Sequence, residues 1–137
     1  MNMSPADYQE SRDRLARLSA ALGVDDPAIL KALRKVPRHL FIPAAAGNSF
    51  DPYGDYPGPI GHGQTISQPS LVAYMIRLIR PRPGHRVLDV GTGSGYQAAL
   101  LAETGAEVYG VELIPELAAG AREVLAGAKQ ERAKRLA

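Results

Sequence analysis

The segment from Arg86 to Glu112 constrains this chain more than any other. Arg86-Val87-Leu88-Asp89-Val90 is a short β-rich run, followed at once by Gly91-Thr92-Gly93-Ser94-Gly95. A helical run from Tyr96 to Thr104 comes next, with Ala98, Leu101 and Ala102 on one face, and Gly105 stops it. Glu107 to Val111 reads as a second strand ending at Glu112. Strand, glycine turn, helix, strand and acid, in that order, are half of a Rossmann-like nucleotide site. The glycines let the turn reverse tightly and let a ligand approach bare backbone, while the helix N-terminus offers unpaired N–H groups. Glu112 stands at the carboxyl end of the second parallel strand, where a carboxylate can accept both hydroxyls of an adenosine ribose. Glycines between a strand and a helix can also make a plain turn; the acid at this spacing is what argues for a ligand.

The rest of the chain supplies helices and one long loop. Ser4-Pro5 starts a helix, Tyr8, Leu15, Leu18 and Leu22 fall near one face, and Gly23 ends it. Asp26-Pro27 repeats the start signal, Ile29, Leu30, Leu33 and Val36 follow at helical spacing, and Pro37 closes the segment. From Phe41 to Gly63 four prolines and five glycines break any periodicity, which reads as a loop. Loops of this length inside a domain are usually functional or disordered. Gln68-Pro69 opens a third helix with a stripe of Leu71, Val72, Met75, Ile76 and Ile79, closed by Pro81 and Pro83. Pro115 begins a last helix, apolar at Leu117, Ala121, Val124 and Leu125, that runs into a Lys/Arg/Glu/Ala tail.

Composition narrows the function classes. With 137 residues, one structural domain is expected. It is read as residues 1–67, a helical segment with a substrate-side loop, and residues 68–137, a Rossmann-like half domain. The absence of cysteine excludes disulfides, thiolate metal sites and a cysteine nucleophile. Three scattered histidines, His39, His62 and His85, make no metal site. The net charge is +2 and aromatics are 6%, so the dense basic stripe and stacking residues of a nucleic-acid surface are missing. The longest apolar run, Leu71 to Ile76, is far short of a membrane span, and charged residues occupy the N-terminus. A soluble, cytoplasmic protein is expected.

The spacing G-x-G-x-G, with Tyr96 where a dinucleotide fingerprint places its third glycine and Asp89 two residues before the first, argues against a nicotinamide dehydrogenase. Leu88-Asp89-Val90-Gly91-Thr92-Gly93-Ser94-Gly95 resembles motif I of class I S-adenosylmethionine (SAM) methyltransferases. The expected fold is therefore α/β, Rossmann-like, with N-terminal helices and a partial parallel sheet. In that family Asp89 is implied as a carboxylate near the methionine end of the cofactor; hydrogen bonding to its own turn is equally open. Two further stretches extend the likeness: Val36-Pro37-Arg38-His39-Leu40-Phe41-Ile42-Pro43, and Ile60-Gly61-His62-Gly63-Gln64-Thr65-Ile66-Ser67-Gln68-Pro69. Read locally, the second is a turn with Ser67 placed to cap a helix. Together, from about residue 26 through Leu125, the three motifs resemble the protein-L-isoaspartate O-methyltransferase family.

That resemblance implies methyl transfer from SAM to the free carboxylate of L-isoaspartyl residues in damaged proteins or peptides. It implies Thr65, Ile66 and Ser67 on the substrate side, with Ser67 as the catalytic serine donating to the substrate carboxylate. Gln64, Asp89, Gly91, Thr92, Gly93, Ser94, Gly95, Glu112 and Leu113 are implied on the cofactor side, with Leu113 against the adenine. The chemistry needs no general base, because a carboxylate is ionised at neutral pH and the sulfonium is already activated; it needs in-line placement and exclusion of water. The family continues past the second strand with an acidic Asp-Gly motif and more strands. The expectation here is an N-terminal cofactor half whose first strand has an exposed edge, open to a complementing C-terminal half or to self-association. Alternatives are a non-catalytic SAM-binding module and a methyltransferase acting on an aspartate of a biosynthetic peptide.

Overall fold

Ser4 and Asp26, each followed by proline, start the two N-terminal helices as their side chains dictate. In a computed structural model, which describes the backbone of residues 3–136 and the side chains of residues 3–127, helix α1 spans Pro5–Ala21. Ser4 Oγ accepts from the Asp7 amide while the Asp7 carboxylate accepts from the Ser4 amide, a reciprocal cap. Helix α2 (Pro27–Lys35) is capped by the Asp26 carboxylate, which accepts from the Ala28 amide at 3.0 Å. Leu15, Ala16, Ile29, Ala32 and Leu33 bury the facing sides of the two helices. Of the stripe expected on α1, Leu22 is exposed: it lies past the last helical residue, where Gly23 at φ 106° turns the chain away.

The stretch expected to be an aperiodic loop contains order. Short 3-10 turns occupy Arg38–Phe41 and Ala44–Ala46, and strand β1 (Gly58–Gly61) pairs antiparallel with β2 (Gln64–Ile66). Gly58 faces Ile66 and Pro59 faces Thr65, with an irregularity between Pro59 and Gly61. Glycine and proline carry little β propensity, so the hairpin left no trace in the periodicity; proline is tolerated because the strand is an edge. Gly61, His62 and Gly63 all have positive φ at the turn.

Helix α3 (Pro69–Ile79) buries Val72, Ala73 and Ile76 towards α1 and α2. Leu71, Met75 and Ile79, expected in its buried stripe, are exposed together with Tyr74 and Leu78. The helix is apolar on two sides, and only one meets neighbours.

Strand β3 (Arg86–Val90), helix α4 (Tyr96–Glu103) and strand β4 (Glu107–Val111) form a parallel βαβ unit, in register from Arg86↔Glu107 to Val90↔Val111. Helix α5 (Pro115–Leu136) follows, and the side chains of its expected basic tail lie outside the described residues. Helix α4 packs on α2 and β4, so Ala98, Ala99, Leu100 and Leu101 are buried, whereas Ala102, expected inward, is exposed. One core joins Val24, Ile29, Leu33, Phe41, Ile60, Ile66, Val72, Ile76, Tyr96, Leu100 and Leu117, with Val87 and Val108 packed against it from one face of the sheet. The other face is bare: Leu88 is 63% and Val90 74% exposed, and Tyr109 and Val111 beside them are also exposed. Among the described residues β3 pairs only with β4, and no helix is long and apolar enough to cross a membrane.

Candidate functional site

The glycine loop is shaped by backbone that only glycine adopts easily. Gly91, Gly93 and Gly95 have φ of 74°, 54° and 88°. The amides of Gly91 and Thr92 both donate to the Val111 carbonyl, at 2.9 and 3.0 Å, which ties the loop to the end of β4. The three glycines do different work. A Cβ on Gly91 would meet nothing within 4 Å, so its outer side is an open cradle. A Cβ on Gly93 would lie 3.3 Å from Ile60 Cδ1, so the β1–β2 hairpin rests on the loop. A Cβ on Gly95 would lie 3.2 Å from Ala121 Cβ and 3.3 Å from Leu125 Cδ1, so this glycine admits α5. Ser94 Oγ accepts from the Tyr96 amide at 3.3 Å at the start of α4.

Two carboxylates serve the loop in opposite ways. Asp89, buried at the end of β3, accepts from Thr92 Oγ1 at 2.8 Å and from Gln97 Nε2 at 3.0 Å. Its partners are side chains of the loop and of α4. Burial raises its pKa, and the two hydrogen bonds only partly offset that. Glu112 accepts from the Gly93 amide through Oε1 at 3.0 Å and from the Ile114 amide through Oε2 at 3.1 Å. The Ile114 amide foremost, with help from the Gly93 and Leu113 amides, holds its pKa below the ordinary carboxylate value against the opposing cost of desolvation. An ionised carboxylate has about four acceptor sites, so these two bonds leave capacity for a ligand hydroxyl. Leu113 beside it is 93% exposed. Gly110, opposite Asp89 on β4, would bring a Cβ to 3.0 Å from Thr92 Oγ1, so it makes room for the loop threonine.

The hairpin carries the residues expected on the substrate side. Ile66 is buried in the core, which turns its neighbours Thr65 and Ser67 outward, and Gln64 at the hairpin turn is exposed too. Ser67 does not cap α3 as its spacing suggested: the N-cap is Gln68, which makes no side-chain capping bond. The cap comes from Asp55, in the preceding loop. Its Oδ1 accepts from the Ser70 amide at 2.9 Å, and its Oδ2 accepts from Ser70 Oγ at 2.7 Å and from Gln68 Nε2 at 3.0 Å. Ser67 Oγ is thereby spared that task. Arg38, with no exposed surface, donates from Nε to the Pro52 carbonyl at 2.7 Å and from Nη2 to the Ser67 carbonyl at 3.1 Å. Its guanidinium carbon sits 4.7 Å from the centroid of the Tyr96 ring.

His39 and several aromatics of the N-terminal half pack against one another as scaffolding. Tyr53 is buried, its hydroxyl 2.7 Å from His39 Nδ1, and the His39 ring stacks on Tyr8 at 3.8 Å. Phe50 meets Tyr56 edge-on. Among the described residues no three His, Cys, Asp or Glu residues are grouped as metal ligands. A cavity of about 480 Å³ lies between α4, β4 and α5, lined by Ala98, Ala102, Val108, Ala121 and Leu125. It reaches Thr92 and Glu112 at one end, yet none of Gln64 to Ser67 lines it, so it is a gap beneath α5 rather than the site where two reactants meet. Sequence reasoning missed Asp55, Arg38 and Gly110 as contributors. A glycine inside a strand signals close backbone approach and could have exposed Gly110. Nothing in the spacing links Asp55 to Ser70 or Arg38 to Ser67.

Parallel strands, a crossover helix, a left-handed glycine loop and a carboxylate bonded to that loop define the cofactor half of a Rossmann-like α/β protein. Comparison with known proteins narrows the class. The model of the family described as protein-L-isoaspartate(D-aspartate) O-methyltransferase matches residues 10–135. The chain belongs to that family. It is 57% identical over 103 residues to a protein-L-isoaspartate O-methyltransferase of Gloeobacter violaceus, covering 75% of this chain and 49% of the relative. It is 52% identical over 122 residues to the one from Aeropyrum pernix, covering 86% of this chain and 46% of the relative. A crystal structure of a Plasmodium falciparum chain assigned to the same enzyme, in complex with S-adenosyl-L-homocysteine, superposes with a TM-score of 0.74 at 31% identity, covering 90% of this chain and 58% of that one. The chain spans about half the length of the curated relatives it matches.

Proposed function

We propose that this chain binds SAM and takes part in methyl transfer to the free carboxylate of L-isoaspartyl residues in damaged proteins and peptides. One observation carries the proposal: Ile60 of the hairpin rests on Gly93, so the glycine loop and the Thr65–Ser67 segment with its uncommitted hydroxyl belong to one continuous surface.

The residues fit the cofactor. The open side of Gly91, the positive φ of the loop, the spare acceptor sites of Glu112 and the bare Leu113 side chain suit an amino-acid tail, a ribose and an adenine in that order. Asp89, Thr92, Ser94 and Gly95 support this binding by shaping the loop, and Gln64 is proposed to line the cofactor from the hairpin. SAM supplies an electrophilic methyl group: a substrate carboxylate oxygen bonds to the methyl carbon as the carbon–sulfur bond breaks, and the electron pair leaves with sulfur. No proton moves, so the chain needs no base. Ser67 hydrogen-bonds to the substrate carboxylate through its hydroxyl and aims one oxygen, with Thr65 bordering the same pocket and Ile66, its side chain in the core, contributing backbone only. Orientation of this kind is worth orders of magnitude in rate. In this proposal residues 1–67 form the substrate side and residues 68–137 the cofactor side.

The bare face of Leu88, Val90, Tyr109 and Val111, next to the free edge of β3, supports a further proposal: another polypeptide surface covers it, a complementing C-terminal half or a second copy. A cytoplasmic location is proposed with this chemistry; cell fractionation checks it.

The test is calorimetric titration of the folded chain with SAM and with S-adenosylhomocysteine, then with paired peptides carrying isoaspartate or normal aspartate. Binding of both nucleosides with preference for the isoaspartyl peptide is expected. A chain that binds neither nucleoside overturns the proposal, and equal response to both peptides points instead to a biosynthetic aspartyl substrate.

A further inference from the structure

Among the described residues one cation is fully buried, Arg38; it donates to two backbone carbonyls and lies beside the buried Tyr96 hydroxyl. Among the described residues no carboxylate comes within salt-bridge distance of it. A guanidinium stripped of water is expensive, and apolar side chains of similar volume would fill the same space at less cost. What the cation touches explains why it is there. Nη2 holds the carbonyl of Ser67 and Nε holds the carbonyl of Pro52, while the flat face lies against Tyr96, the first residue of the helix that follows the glycine loop. Arg38 therefore ties the serine segment to the start of α4, directly after the glycine loop, from a single rigid group.

Asp55 works on the same segment from the other side. Both its oxygens are spent on Gln68 and Ser70, so α3 begins on a cap delivered from a loop fifteen residues earlier. Burial alone would raise its pKa, but the bonds from Gln68 and Ser70 and the charge of Arg38 outweigh that and hold it below the ordinary value. The segment from Ser67 to Ser70 thus hangs between a buried cation on one carbonyl and a carboxylate on the amide three residues later.

We propose that Arg38 and Asp55 are positioning residues that clamp the Ser67 segment between them and fix the Ser67 hydroxyl relative to the glycine loop. The inference rests on the function proposed above, since it gives the clamp a purpose: the acceptor oxygen and the donor methyl must meet in line, and displacement of about 1 Å can cost roughly a hundredfold in rate. It adds two residues to the site, neither of which touches a reactant.

The experiment compares the full chain with Asp55→Asn, Asp55→Glu and Arg38→Lys. Asparagine keeps the size and one acceptor but loses the charge; lysine keeps the charge but cannot span two carbonyls. Amide hydrogen exchange at Ser70 and Val72 is followed by NMR, together with titrations of S-adenosylhomocysteine and of an isoaspartyl peptide. In Asp55→Asn the Ser70 amide is expected to exchange roughly tenfold faster or more, with Asp55→Glu restoring part of the protection. Affinity for the peptide falls by about tenfold in Asp55→Asn and Arg38→Lys, while affinity for S-adenosylhomocysteine stays within about twofold. Unchanged Ser70 exchange in Asp55→Asn overturns the clamp, as does an equal loss of both affinities, which marks general loosening. If Arg38→Lys fails to fold, Asp55→Asn decides alone. A wild-type chain that binds no nucleoside overturns the functional reading instead, and the clamp is then judged by Ser70 exchange.

Discussion

Glu112 Oε1 accepts a hydrogen bond from the Gly93 amide at 3.0 Å, so the acid that ends β4 is fastened to the loop that follows β3. A single side chain therefore sets the loop shape and keeps acceptor sites free for the proposed cofactor. Glu112→Gln keeps the side-chain size and removes the charge on which both amide bonds rely. Affinity for S-adenosylhomocysteine is expected to fall by roughly ten- to a hundredfold, read by calorimetry. Because the folded-state pKa of Glu112 is lowered, its carboxylate stabilises the fold above the ordinary carboxylate range and loses that contribution as pH falls through the lowered value. The stability gap between wild type and Glu112→Gln should therefore close in acid.

Asp89 titrates with the opposite sign. Its pKa is raised by burial, so the folded state holds the proton more tightly than the unfolded chain does. Its contribution to the unfolding free energy then falls as pH rises from the ordinary carboxylate value through the raised one, and stays lower above it. Asp89→Asn removes this titration while asparagine can still bond Thr92 and Gln97. Denaturant melts between pH 4 and 7 should show the mutant gaining on wild type across that window; a gap independent of pH would contradict the assignment.

Gly95 and Gly23 separate strain from crowding. Both have positive φ, but an added Cβ has free space at Gly23 and meets Ala121 and Leu125 at Gly95. Gly23→Ala should cost about 1 kcal/mol from backbone strain alone. Gly95→Ala should cost about 2–4 kcal/mol, because crowding against α5 adds to the same strain. Chemical denaturation of the two variants side by side checks the difference.

Ser67→Ala removes a hydroxyl that supports no other part of the fold, since Asp55 caps the helix. The melting temperature and the affinity for S-adenosylhomocysteine should stay near wild type. Affinity for an isoaspartyl peptide should drop by about tenfold, as expected for one hydrogen bond to a charged group.

The bare sheet face gives a test of partnership. Leu88→Lys combined with Val90→Thr replaces exposed apolar groups, so monomer stability should move by less than about 0.5 kcal/mol per site. Self-association measured by sedimentation velocity should weaken. Unchanged association would place the contact elsewhere.

What could be read from the chain is what depends on neighbours in sequence. Ser4 and Asp26 announced their helices through caps completed within three residues, and the βαβ unit with its glycine loop and Glu112 was visible because strand period, turn chemistry and spacing are all local. What escaped was set by contacts between distant residues. The hairpin around His62 is built from glycine and proline, which carry no strand signal, and it exists because Ile60 and Ile66 anchor it in the core. Leu71, Met75 and Ile79 carry the same period whether or not anything packs on them, so their exposure was unreadable. The amino-acid order alone thus determined the glycine loop and the likeness that names the family. Only the tertiary fold decided that Asp55 rather than Ser67 caps α3, because an ion's partner is chosen by where the chain brings it and not by how far along the chain it lies.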